Sequence, residues 1–483
     1  MLKLIIRQAN WGILGSVFAF AIGFFVKRYV FNEVGPTEWG KYATAHTFAV
    51  ISDTLLCIGI PVIILKFIPK LLTESKQQAS KLITVFLRYA VFSSLIFIIL
   101  IIVVSQFLDV YLYNEIDDFS LILILVSLHA PFSIFMGIIT SLYRSILKIK
   151  EIVLYGTFVT VILKAVLTFI VFQFSKDIIS FIILELITQL FTLIILFYLF
   201  NKREFKILSI RDKEDYKLDN DVIKYGKNMY AISLVGMLSN QSIAFVLGIS
   251  LPSEHMGVYS VLLTITSLAL FLNKNLKSIF SPAISQLYAE GKMIELADLY
   301  KKTTFLVSFF TIPFTILIIF FSLEIFSFYS TDYDLAPYKF HLCVLVIGNI
   351  ISILVGTSHA LMIMAGLEKK ALQIQFVRGF LIFLLSFLFI QEYKLDAVVI
   401  ISLISILFIS SFQLYFMKKE LNISPFSREL LFLILFSIPF IYFAITQEYL
   451  FELYHIIIVP IVVYFIYFLV FHKQIFNLYK ELK

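Results

Sequence analysis

A handful of ionisable residues stand inside or at the rims of long apolar runs: Lys164, Asp53 and Glu185 within them, Lys274 and Lys277 toward one end of another, Lys27 and Arg28 at the end of the first. A charged side chain at the centre of a hydrocarbon layer costs at least ~2.5–3.5 kcal/mol, so such a residue usually faces a cavity or a partner. Lys164 lies twelve residues into its run, ~18 Å deep at a helical rise of 1.5 Å per residue, where its ammonium cannot easily reach the headgroups. Its chemistry is therefore anion binding, or an ion pair with Asp53 or Glu185. Asp53, at similar depth, is the carboxylate whose charge a proton or sodium ion would change, with a structural hydrogen bond or ion pair as the plain alternative. Glu185, ~10 Å from the end of its run where water reaches, is the second carboxylate of this kind. Lys274 and Lys277, three apart, project from one helix face that Ser278 and Ser281 continue. That cationic, hydroxylated face suits an anionic, hydrogen-bonding ligand, or else its lysines extend to the headgroups. Lys27 and Arg28 divide in the same way between anion contact and interfacial anchoring.

Enzyme chemistry finds little support. No nucleophile with a base, no metal-spaced His pair and no phosphate-binding glycine motif is present, and His129, His341 and His359 have no catalytic partner in the sequence. Cys57 and Cys343 sit in separate apolar runs and read as packing residues, so no disulfide, metal or other cofactor is implied.

The elements that must hold these residues follow from composition. The chain of 483 residues is 60% hydrophobic and only 15% charged, against about 25% charge in soluble domains. Apolar runs of about 20 residues recur throughout, each long enough for a ~30 Å hydrocarbon core, and they lack the ~10-residue alternation of barrel strands. An all-α integral membrane protein follows, with about fourteen transmembrane helices at 9–31, 41–65, 84–106, 119–143, 152–174, 178–200, 228–250, 257–280, 303–326, 340–365, 372–391, 397–416, 430–446 and 454–471. The first run is too long for a signal-peptide core and lacks a cleavage site, so it counts as a span.

The formal charge of +7 is spread over the loops and forms no stripe for a nucleic acid, so no nucleic-acid partner is implied. Roughly thirty of the 39 basic residues fall in alternate loops and the termini, at 66–81, 144–150, 202–227, 292–302, 369–370 and 418–428, which places these on the cytoplasmic side together with both ends of the chain. The opposite loops carry Glu33, Glu38, Asp109, Glu115, Asp117, Asp118, Glu254, Asp332 and Asp334 and face outward.

The halves repeat. Gly35-Pro36-Thr37-Glu38-Trp39-Gly40-Lys41-Tyr42 joins the first two spans, and Leu251-Pro252-Ser253-Glu254-His255-Met256-Gly257-Val258-Tyr259 joins the seventh and eighth. One inserted residue aligns them, as in transporters built from parallel repeats related by an axis along the membrane normal. The expected organisation is a first lobe at 1–200, a cytoplasmic linker at 201–227, a second lobe at 228–416, and two additional helices with a cytoplasmic tail at 417–483. Pro61 and Pro282 should kink corresponding helices. Gly15, Ala19 and Gly23, and again Ser352, Gly356 and Ala360, should form close-packing seams.

With the stretches Trp11 to Ser16 and Ser281 to Lys292, the repeated loop resembles Wzx-type polysaccharide flippases of the MOP superfamily. The resemblance implies two six-helix lobes around a central cavity plus two C-terminal helices. It also implies alternating-access transfer of an undecaprenyl-pyrophosphate-linked oligosaccharide across a bacterial cytoplasmic membrane, with ion-gradient coupling. The partners implied are the lipid-linked oligosaccharide, membrane lipids and other polysaccharide-assembly membrane proteins. Lys164, Lys274, Lys277, Lys27 and Arg28 are then the substrate-binding residues, and Asp53 and Glu185 the coupling residues. Alternatives are another MOP-type transporter, for a peptidoglycan precursor or a drug, and a membrane enzyme of polysaccharide assembly. Drug-cation export would favour an acidic cavity, whereas basic groups dominate here.

Overall fold

Hydrocarbon offers a bare backbone no hydrogen-bond partner, so apolar runs of this length close into helices. The computed structural model describes the backbone of residues 2–112, 119–207, 219–448 and 451–482; side chains are described for 10–107, 119–207, 219–271, 287–288, 290–363, 365–448, 451–452 and 454–476. In chain order the helices are α1 (Leu2–Cys57), α2 (Ile60–Glu74), α3 (Lys76–Leu112), α4 (Phe119–Ser127), α5 (His129–Ser145), α6 (Ile149–Glu151), α7 (Val159–Val171), α8 (Ile178–Arg203), α9 (Asn220–Ser250), α10 (Ser253–Ala289), α11 (Met293–Phe320), α12 (Ser322–Tyr329), α13 (Lys339–Leu354), α14 (Ser358–Met364), α15 (Glu368–Phe416), α16 (Arg428–Thr446) and α17 (Leu453–Leu482). A π-helical turn, Ile152–Phe158, joins α6 to α7.

Among the described residues, twelve continuous helical stretches are long and apolar enough to cross a membrane. Two of them hold a pair of spans each. The stretch Asn10–Glu74 turns at Gly35 (φ 79°) before Pro36, and Glu368–Leu421 turns at Lys394 (φ 50°, ψ −130°). Counted so, the twelve contain the fourteen expected spans, and the protein is a multi-pass membrane protein.

Two compact units divide at Gly257. In the first, residues 1–257, α2 leaves α1 through a break at Ile58 (φ 40°) and Gly59 (φ 71°), and Pro61 occupies the first turn, where its missing N–H is no loss. The expected kink at Pro61 is thus a full interruption of the second span. Ile60, Ile64, Leu82, Phe86, Ile138 and Phe200 build the core around it. Helix α9, expected to open the second lobe, packs against α1 and α2 in the first unit. Its glycines allow this, since a Cβ on Gly226 would come 2.8 Å from Ile63 and one on Gly248 2.8 Å from Thr44. Of the expected seam in the first span, Gly15 sits tight against Val153, while Gly23 has open space around it.

In the second unit, residues 258–483, α11 is the central helix, with most of its apolar stretch buried. Three of its buried hydroxyls are satisfied along the helix itself: Thr304, Thr311 and Thr315 donate to the carbonyls of Tyr300, Val307 and Thr311 at 2.6–2.7 Å. The C-terminal helices α16 and α17 pack on α11 through Phe305, Phe309, Phe432, Phe436 and Phe471. Gly356 (φ 64°) interrupts the tenth span between α13 and α14, and it packs closely on Thr304 and Tyr300 of α11, so the expected close approach is there, at a break in the helix. Elsewhere the helices keep a bare apolar face suited to lipid, as on α3 with Phe92, Leu95, Ile99 and Val103.

The repeat is visible inside each unit. Leu147 (φ 57°) and Gly366 (φ 72°) close equivalent turns after α5 and α14, each followed by a backbone N–H bonded five residues back. At the base of the hairpin that follows, Lys148 pairs with Glu204 in the first unit and Lys370 with Glu420 in the second.

Candidate functional site

Helix α8 begins at Asp177, whose carboxylate accepts from the N–H of Ser180 at 2.7 Å and caps the first turn. Glu185 therefore lies two turns in, ~12 Å from that end, and Gln189 stands four residues further on the same face. Opposite runs α7. The π-helical turn before it inserts one extra residue into the helical register and so changes the face on which every later side chain falls. Thr160 donates to the carbonyl of Gly156 at 2.8 Å, and its hydroxyl meets that of Thr192 on α8 at 2.7 Å. One turn beyond Thr160, Lys164 reaches Glu185.

Lys164 donates to Glu185 Oε1, and its Nζ lies 4.8 Å from the centre of the Phe181 ring. Glu185 Oε2 accepts from the Tyr42 hydroxyl at 2.8 Å. Two alternatives for Lys164 are thereby decided in this conformation: it is paired, and the partner is Glu185. Lys27 lies within electrostatic range of both Lys164 and Glu185. Two lysines, Lys27 and Lys164, thus stand near the Glu185 carboxylate, with Asp53 the next carboxylate along.

Beside the pair is a cavity of about 230 Å³, lined by Tyr42, His46, Asp53, His129, Ser133, Glu185 and Gln189. It has room for several water molecules. Asp53 Oδ1 accepts from Cys57 Sγ at 3.2 Å, and its carboxylate is hydrogen-bonded to Ser133. Cys57 thus does more than pack. The two carboxylates that the sequence singles out for coupling, Asp53 and Glu185, open onto one cavity. His129 Nδ1 lies 2.6 Å from Gln189 Oε1, an acceptor, so Nδ1 carries the hydrogen. Its Nε2, buried and without a hydrogen-bond partner, is 3.7 Å from Glu185 Oε2. A proton added at Nε2 would therefore face the carboxylate.

Arg28 is half-buried on α1, next to Lys27. Lys274 and Lys277 fall on α10, but their side chains lie outside those described, as do Ser278, Ser281 and Pro282. Sequence reasoning missed Tyr42, His46, His129 and Gln189 as site residues. Gln189 had a readable signal in its four-residue spacing from Glu185; the others approach only through folding. Among the described residues no set of three His, Cys, Asp or Glu side chains has metal-holding geometry.

The family model described as "Polysaccharide biosynthesis protein" matches residues 34–336. The chain belongs to this family. No curated protein matches the sequence. Among solved structures, the chain is similar to the lipid II flippase MurJ in an inward closed conformation, with 16% identity over 96% of this chain and 99% of that one and a TM-score of 0.70. It is similar also to a multidrug resistance MATE family transporter of the MOP superfamily in its inward-facing conformation, with 14% identity, coverage of 83% and 94%, and a TM-score of 0.66. A third is a MOP superfamily transporter from Pyrococcus furiosus, at 14% identity, coverage of 87% and 96%, and a TM-score of 0.55. The family is one of polysaccharide biosynthesis and the fold is that of MOP superfamily transporters, both in line with the resemblance read from the sequence.

Proposed function

We propose that this protein is a flippase that carries an undecaprenyl-pyrophosphate-linked oligosaccharide from the inner to the outer leaflet of the cytoplasmic membrane by alternating access. The observation that carries the reading is a lysine, Lys164, held on Glu185 beside a polar cavity within a membrane bundle. A pyrophosphate cannot cross hydrocarbon unaided, and ammonium groups in a low-dielectric site hold it with charge-assisted hydrogen bonds. Membership of a polysaccharide biosynthesis family supports a sugar-bearing cargo, and the likeness to a lipid II flippase supports a lipid-linked one.

In this reading Lys164 exchanges Glu185 for a phosphate oxygen, and Lys274 and Lys277 on α10 are further phosphate-binding lysines. Asp53 and Glu185, on the shared cavity, are the groups whose charge an ion gradient changes. The lobes are 1–200 and 228–416, and the basic loops face the cytoplasm. The protein acts as a transporter and not as an enzyme, alongside other membrane proteins of polysaccharide assembly.

The test is transfer of the lipid-linked oligosaccharide between leaflets of proteoliposomes. Wild-type protein should transfer it, Lys164→Gln should lose at least about tenfold in rate, as expected for removal of one charge-assisted contact, and Lys164→Arg should keep part. Wild-type rates for Lys164→Gln and for the Lys274→Gln, Lys277→Gln double variant would remove the cationic site from the mechanism.

A further inference from the structure

The second unit contains a mid-membrane cation that the sequence reading did not single out. Arg378 lies ten residues into α15, ~15 Å along a helix that starts beside the basic residues Lys369 and Lys370. It donates from Nε to Ser405 Oγ at 2.7 Å and from Nη1 to Gln375 Oε1 at 3.3 Å. Among the described residues no carboxylate reaches it. A guanidinium has five N–H donors, so most of its hydrogen-bonding capacity is uncommitted.

The repeat shows what is unusual here. Counted from the left-handed residue before each hairpin, Leu147 or Gly366, Glu185 lies 38 residues on and Ser405 39. Each is the residue on the returning helix against which the half-buried cation leans: Lys164 on Glu185, Arg378 on Ser405. The first unit supplies a carboxylate at this place and the second a neutral hydroxyl. Lys164 is therefore paired with a carboxylate within the protein, while Arg378 has none among the described residues. Such a charge deep in a bilayer is expensive to leave without an anion.

We infer that Arg378 is a phosphate-binding residue of the second unit, taking a phosphate oxygen of a lipid-linked ligand at mid-depth in the membrane. Its planar fork suits phosphate. Depth distinguishes the ligand from a resting phospholipid, whose headgroup stays at the interface, about half a bilayer thickness away. The inference rests on the flippase reading for the ligand's identity.

The test uses the full chain in neutral phosphatidylcholine nanodiscs, with farnesyl pyrophosphate as the probe. Arg378→Gln keeps a polar side chain beside Ser405 and should be monodisperse, yet bind the probe at least about tenfold more weakly, the loss of one charge-assisted contact. Arg378→Lys, which keeps the charge without the fork, should lie between. Wild-type affinity in Arg378→Gln would overturn the inference. So would a variant whose only defect is lost thermal stabilisation by phosphatidylglycerol, since that marks a resting-headgroup site. Lys164→Gln separates the two readings: a loss there with none at Arg378 sinks this inference alone, the reverse sinks the role given to Lys164, and no binding by wild type sinks both.

Discussion

A Cβ atom on Gly40 would stand 1.7 Å from the carbonyl oxygen of Ser253. The contact is reciprocal, because a Cβ on Gly257 would stand 2.0 Å from the carbonyl oxygen of Pro36. These residues hold matching places in the repeated loop, and both obstacles are backbone, which has no rotamer with which to give way. Trp39, Tyr42 and Met256 are buried around the contact, and Tyr42 also lines the cavity beside Glu185. The contact therefore lies next to the site, on the side of Tyr42.

Gly40→Val or Gly257→Val should force it open. Thr44, one turn in and 2% exposed, reports the change as Thr44→Cys. Its reaction with a membrane-impermeant maleimide should accelerate at least about tenfold with either substitution alone, matching an overpacking penalty of about 1–3 kcal/mol. Unchanged labelling would mean that another contact shields Thr44.

The Lys164 and Glu185 pair should show the asymmetry of a desolvated ion pair. Their side chains are 25% and 11% exposed and border a cavity, so removing one partner should cost about 1–3 kcal/mol, below the 3–5 of a fully buried pair. Lys164→Gln and Glu185→Gln should each lower the thermal midpoint in detergent, and the double variant should recover much of the loss. A double variant that loses the sum of both would show that the two residues act separately.

Asp53→Asn should insert and fold normally, since an amide can still meet Cys57 and Ser133, but transfer in proteoliposomes should no longer respond to a proton or sodium gradient. Full gradient dependence in this variant would take Asp53 out of coupling.

The spans, the turn at Gly35 and the break at Pro61 were legible in the sequence because apolar run length, glycine and proline are local signals. Lys164, Asp53 and Glu185 were legible because charge in hydrocarbon is conspicuous. Which partner Lys164 takes was not, since the face it presents depends on the π-helical turn at 152–158. Tyr42 and His129 reach Glu185 across sequence separations that no periodicity encodes. Arg378 was overlooked although it carried the same signal as Lys164, and Leu147, a non-glycine in the left-handed region, gave no hint of the turn it closes.

Topology has its own check. Single cysteines at Ser120 and Asp332 should label from outside the cell, and those at Ser209 and Lys292 only after the inner side is opened. Labelling of Ser209 and Asp332 from the same side would contradict the fourteen-span arrangement.

The central claim is most directly tested by depleting the protein in its own cell and locating the lipid-linked oligosaccharide. Flipping predicts that the complete, unpolymerised repeat unit accumulates on its lipid carrier with its sugars on the inner leaflet, inaccessible to an added glycosidase until the membrane is permeabilised. Accumulation on the outer leaflet, where the glycosidase reaches it in intact cells, would place the protein after the transfer step and contradict the account.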